Sequence, residues 1–114
     1  MSARMIGVPE VLAHLRAVVA EKGADYVYAE DVCQYAIDGQ PACIVGHVYA
    51  RLGLLDEDTQ WSGVGADKLH ISEITAMARE VLRTAQQVQD GDLPPFKRGM
   101  WGEALAAAEA TDAA

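Results

Sequence analysis

A predominantly helical single domain is the fold that the sequence predicts, and three observations carry it. Apolar residues recur at three- and four-residue steps in two long stretches, 8–22 and 72–90. Proline and glycine punctuate the ends of those stretches where helix starts and stops want them. The chain has 114 residues, 51% apolar and 23% charged, enough for one core and not two. The expected architecture is mainly α, with three main helices plus one or two short ones and a short β-hairpin near residues 32–44. It is one domain over 1–114, with frayed ends at 1–5 and 109–114.

In "VPEVLAHLRAVVAEKG", Val8, Val11, Leu12, Leu15, Val18 and Val19 share one helical face. Pro9 suits the first turn and Gly23 the C-terminal cap. "DYVYAED" is aromatic and branched, and "VCQYAIDGQPACI" sets Asp38-Gly39 between two apolar arms, the signal of a tight hairpin. Pro41 cannot donate to a strand ladder, so few residues should pair. A two-residue turn pairs Ile37 with Gln40 and Gln34 with Cys43. Cys33 then points to the other face of the ribbon, which excludes a Cys33–Cys43 bridge.

Cys43, Ile44, His47, Val48, Arg51 and Leu52 predict a second helix of about three turns that ends at Gly53. "LLDEDTQWSGVGADKLH" reads as a loop with one helical turn near Ala66–Leu69. "SEITAMAREVLRTAQQVQDG" predicts the longest helix, with Ser72 as N-cap, Gly91 at its end, and a face of Ile74, Met77, Ala78, Val81, Leu82, Ala85 and Val88. After the "DLPPFKRG" linker, "MWGEALAAAEA" supplies a last short helix.

The net charge is −8 and the nine Lys and Arg are scattered, so there is no basic stripe for a phosphate backbone and direct nucleic-acid binding is not expected. No apolar run reaches the length of a membrane span, and the start of the chain lacks a secretory pattern. The expectation is therefore a soluble, cytoplasmic protein. The two cysteines read as free thiols.

Four groups of residues raise the question of chemistry. Cys43 and His47, four apart on one helix, have the spacing of a thiol–imidazole nucleophile pair; against this, a cysteine between Ala42 and Ile44 is more often simply buried. For zinc the available set is Cys33, Cys43, His47 and His70 or His14, whose C-x9-C-x3-H spacing matches no compact zinc pattern, so neither metal nor cofactor is expected. The acidic run Asp56, Glu57 and Asp58 lacks the alternation and glycine of a calcium loop, and Gly63 with Gly65 makes no phosphate cradle. Trp61, Trp101 and Tyr28 stand beside loops, where aromatic residues serve either as partner contacts or as covers for the ends of a small core.

The phrases "YVY", "CQYAIDGQPACIVGHVYARLG", "WSGVGADKL" and "AQQVQDGDLPPFKRGMWGEALAAA" resemble recurring blocks of a family of small proteins of actinobacteria and their phages, over about residues 26–108. That family has no established activity and brings no site residues with it. The resemblance implies a phage-encoded accessory protein that binds a host target in the host cytoplasm. The leading expectation is thus a non-enzymatic protein–protein interaction module with an unidentified protein partner. The alternatives are an acidic nucleic-acid mimic that blocks a basic groove and a small cysteine-dependent enzyme using Cys43 and His47. A two-fold homodimer is compatible with a small helical domain of this kind.

Overall fold

In the computed structural model, which describes residues 5–28, 34–37, 40–55, 65–70, 72–92 and 97–113, the Val and Leu repeat forms helix α1, Val8–Lys22. Val11, Leu12, Leu15, Val18 and Val19 are buried as the periodicity requires. Gly23 ends the helix at φ 102°, a backbone state that other residues seldom adopt, and its N–H donates to the Val19 carbonyl.

The hairpin has the expected register. Strands β1, Ala36–Ile37, and β2, Gln40–Pro41, are antiparallel, with Ile37 opposite Gln40 and Ala36 opposite Pro41. Two further bonds extend the pairing, from the Ala42 N–H to the Tyr35 carbonyl at 3.2 Å and from the Cys43 N–H to the Gln34 carbonyl at 3.0 Å. The Asp38-Gly39 turn and Cys33 lie outside the described residues.

Helix α2, Ile44–Arg51, has eight residues rather than three full turns. It also buries a wider face than its spacing suggests: Val45, Gly46 and Tyr49 are buried along with Ile44 and Val48, while Arg51 is exposed and His47 half-buried. The cause is that α2 packs on the hairpin as well as on α1 and helix α3, Ala76–Asp90. At Gly46 the two elements touch so closely that a methyl group would lie 2.0 Å from the Tyr35 carbonyl oxygen.

A 3₁₀ turn at Ala66–Lys68 stands where the helical turn was expected. The start of α3 corrects the sequence reading: the N-cap is Thr75, whose Oγ1 accepts from the Ala78 N–H, and Ser72 sits in the preceding turn. Ile74 and Thr75 are held out of the helix because the Ile6 N–H donates to the Glu73 carbonyl and the Thr75 N–H donates to the Ile6 carbonyl. Helix propensity in 72–75 is overridden by this tie to the N-terminal segment.

The predicted face of α3 is largely the buried one, with two differences. Met77, in the first turn, is 55% exposed, and two glutamines, Gln86 and Gln89, are buried in its place. Gln86 Oε1 accepts from the Ala66 N–H at 2.9 Å while its Nε2 donates to the Tyr35 hydroxyl at 2.8 Å. Gln89 Oε1 accepts from the Ile44 N–H at 2.7 Å and its Nε2 donates to Asp90 Oδ1. Each amide satisfies the first N–H of another helical element, a group with no partner inside its own turn. A buried polar side chain is tolerated when it is satisfied in this way.

Gly91, at φ 74° and ψ 30°, closes α3 in a left-handed cap. Helix α4, Trp101–Ala113, is longer than the short element expected and continues through residues read as frayed. Glu103 Oε1 accepts from the Met100 N–H at 2.9 Å and caps its start. Arg16 pairs with Glu109 at 2.9 Å, and Thr111 Oγ1 lies 3.1 Å from Thr84 Oγ1, which fastens its far end to α1 and α3.

The ties at the ends set the helix directions. Ile6, before α1, bridges Ile74, before α3, so these two helices run the same way. Trp101 and Gly102, at the start of α4, donate to the carbonyls of Tyr26 and Ala24 just after α1, so α4 runs back. Among the described residues no helix is long and apolar enough to cross a membrane.

Candidate functional site

Two of the residues that the sequence raised for separate reasons, Trp101 and His47, meet at one end of the bundle. The segment 24–28, leaving α1, runs antiparallel to 97–102, entering α4. The Trp101 N–H donates to the Tyr26 carbonyl and the Gly102 N–H to the Ala24 carbonyl, both at 2.8 Å, and Arg98 Nη1 donates to the Tyr28 carbonyl at 2.8 Å. Each segment carries an exposed apolar side chain, Val27 on the first and Met100 on the second. They are exposed at 43% and 40%, two of five large apolar side chains exposed among the described residues.

Trp101, next to Met100 in the chain, is fully buried. The Tyr26 ring meets it edge to face, with centroids 4.5 Å apart, and the His47 ring approaches at 5.4 Å. Such crossed ring pairs add stability beyond their buried area. Lys22 Nζ sits 5.6 Å from the Tyr26 centroid, a cation over an aromatic face. The indole N–H finds no hydrogen-bond acceptor among the described residues and is surrounded by these rings.

His47 is pushed below the usual histidine pKa, first by burial and then by the nearby Lys22, with Glu21 opposing. It is therefore a neutral ring at physiological pH. His70, at the opposite side of α2, is also lowered by burial, against the pull of Glu73 at 3.4 Å, and its ring meets Tyr49 edge to face. It has φ 54°, and its carbonyl accepts from the N–H groups of both Glu73 and Ile74.

Of the two settings the sequence left open for Trp101 and Tyr28, partner contact or core cover, the structure shows the second, which does not fit the partner-contact role considered for them. Both are in the core, Tyr28 with its hydroxyl accepting from the Gln34 N–H at 3.3 Å. A neighbouring loop in sequence does not imply exposure, because here the loop is itself roofed by a second segment. Trp61 and the acidic run 56–58 lie outside the described residues.

Cys43 and His47 share the start of α2 but serve different neighbours. Cys43 is the N-cap; it is fully buried, and its Sγ accepts from the Gly46 N–H at 3.4 Å. Its thiol has a structural use, and attack on a substrate would require α2 to open. His14, once weighed as a ligand, accepts at Nδ1 from Arg51 Nε at 3.1 Å. Among the described residues no three His, Cys, Asp or Glu side chains gather to hold a metal ion.

Sequence reasoning missed Tyr26, Val27 and Met100. The one signal available was that "DYVY" and "GMWG" are both short, apolar and glycine- or loop-flanked, a pattern that two paired segments would share. Comparison of the chain with protein-family models, with curated proteins and with solved structures found no match.

Proposed function

We propose that this protein is a non-enzymatic interaction domain whose contact surface is the strip formed by Tyr26–Val27 and Met100. The observation that carries this reading is that two exposed apolar side chains, Val27 and Met100, stand on neighbouring segments held together by hydrogen bonds from Trp101 and Gly102 to the carbonyls of Tyr26 and Ala24. A contact surface that is already ordered loses little conformational entropy on binding. Its composition, aromatic and methionine with an arginine at the margin, is that of interface centres, and methionine adapts to irregular partner surfaces.

The resemblance to accessory proteins of actinobacteria and their phages makes a host protein the natural partner. Affinity capture from an actinobacterial lysate tests the proposal when run beside Val27→Asp and Met100→Asp. Both variants should keep the melting temperature of the parent, since the replaced side chains are exposed, and both should lose the stoichiometric partner. Retention of that partner by the two folded variants would refute the reading.

A further inference from the structure

We infer that residues 5–7 are a releasable strap: when Ile6 is withdrawn, α3 lengthens back to Glu73 and its N-cap passes from Thr75 to Ser72. The observation that carries this is how the polar groups before α3 are satisfied. The Ile6 N–H donates to the Glu73 carbonyl at 2.8 Å, and the Thr75 N–H donates to the Ile6 carbonyl at 2.9 Å. The Ala78 N–H donates to the Thr75 hydroxyl at 3.3 Å, and Arg79 Nε donates to the Ile74 carbonyl at 3.2 Å. Ile6, one hydroxyl and one guanidinium thus stand in for the first bonds of a longer helix.

The longer helix satisfies the same groups by itself. With Ser72 as N-cap, its Oγ accepts from the Thr75 N–H, the Glu73 carbonyl accepts from the Met77 N–H, and the Ile74 carbonyl accepts from the Ala78 N–H. Arg79 keeps the Asp67 carbonyl on Nη1. The groups of residues 73–78 named here therefore keep a partner in either state, and the Ile6 N–H and carbonyl turn to water.

The sequence suits both arrangements. Ser72 is exposed, and Glu73 would enter the first turn, where the helix dipole favours a carboxylate. Ile74 precedes Ala78, Val81 and Ala85 at steps of four, three and four, so a helical Ile74 stays on the buried face. No proline or glycine between Ser72 and Asp90 interrupts the longer helix. What favours the strapped state is the Ile6 side chain, which packs against the core. Two packings of one segment that differ by so little form a two-state element. Whatever binds residues 5–7 in their released form draws the chain toward the longer helix, so an event at the N-terminal segment is read at the start of α3.

Two variants of the full chain test the inference from opposite sides, read by Cα chemical shifts and amide exchange in NMR. Thr75→Glu removes the cap of the shorter helix and completes Ser72-x-x-Glu, a capping box for the longer one. Residues 74 and 75 should then take helical shifts, and the Ile6 amide should lose its protection against exchange. Ile6→Pro deletes the donor of the strap and should give the same helical shifts, which Ser72→Ala added to it should reverse. The capping cost should move with the state. Thr75→Ala should raise the unfolding constant about fivefold in the parent, as loss of a capping hydroxyl does, and carry no such cost in Ile6→Pro. Should Ile6→Pro not fold, Thr75→Glu, which leaves Ile6 in place, decides alone. A protected Ile6 amide with unchanged shifts at 74 and 75 in Thr75→Glu overturns the inference. Random-coil shifts at those positions overturn it as well, since the tie would then be a fastening with no second state.

Discussion

Replacing Gly46 by alanine tests the packing of the hairpin on α2 with a sign as well as a magnitude. In an exposed helix interior that change stabilises by about 1 kcal/mol, because glycine is the poorer helix former. Here the new methyl carbon would sit 2.0 Å from the Tyr35 carbonyl oxygen, 2.8 Å from its carbon and 3.0 Å from its Cα. A carbon–oxygen contact relaxes near about 3.3 Å, so hairpin and helix must part by roughly 1.3 Å. The obstacle is backbone, which cannot swing aside as a long side chain would.

That displacement strains several contacts together. The Ala42–Tyr35 and Cys43–Gln34 backbone bonds, the hydrogen bond from Gln86 to the Tyr35 hydroxyl, and the stacked Tyr35 and Tyr49 rings at 5.6 Å all cross this junction. Overpacking a core costs about 1–3 kcal/mol, and each weakened bond adds up to about 1 kcal/mol. Gly46→Ala should therefore destabilise by about 3 kcal/mol, on the order of a 12 °C drop in melting temperature for a domain of this size. Urea unfolding followed by far-ultraviolet circular dichroism gives the value. A melting temperature equal to or above that of the parent would refute the close approach of α2 to the hairpin.

Other perturbations probe separate joints. Gln89→Leu removes the acceptor of the buried Ile44 N–H and should cost about 2 kcal/mol, read from the urea midpoint; an unchanged midpoint would mean that the amide does not hold the start of α2. Trp101→Ala should cost about 3–5 kcal/mol, as truncation of a buried aromatic does; loss of binding with an unchanged melting temperature would return Trp101 to the surface. Cys43 should resist alkylation at neutral pH until the protein unfolds, as followed by mass-spectrometric mapping of the Cys43 peptide. Rapid modification in the folded state would restore the thiol as a nucleophile.

The histidines give a pH dependence whose sign is fixed. His47 and His70 both bind protons less readily when folded, so the unfolded chain takes up more protons as pH falls below the ordinary histidine value of about 6.5. Their contribution is complete above that pH and declines below it. Asp90, raised by burial, acts in the opposite direction nearer the carboxylate range. Stability measured by urea should thus fall from pH 7.5 toward pH 5.5, and His47→Gln with His70→Gln should flatten the slope. An equally steep slope in that double variant would contradict the burial of these rings.

Local pattern carried a good part of the fold. The α1 face, the hairpin register, the turn at Ala66–Lys68 and most of the α3 face were legible because each follows from spacing within a short window. What escaped depends on partners distant in the chain. The N-cap moved from Ser72 to Thr75 because Ile6 pairs with residues 73–75. Gln86 and Gln89 interrupt the apolar pattern, yet they are buried because they serve N–H groups 20 and 45 residues away. At the candidate site the sequence picked Trp101 and His47 but could not show that they touch each other, because Trp101 is brought there by the bonds from 101 and 102 to the carbonyls of 26 and 24.

The claim that the Val27–Met100 strip is the contact surface is tested most directly by site-specific photo-crosslinking in living cells. A benzophenone side chain placed at position 27 should give one defined covalent adduct, whether with a second copy or with another protein, and the same group at Met77 should give none. Adducts that form from position 77 and not from position 27 would place the contact surface at the other end of the bundle and contradict the account.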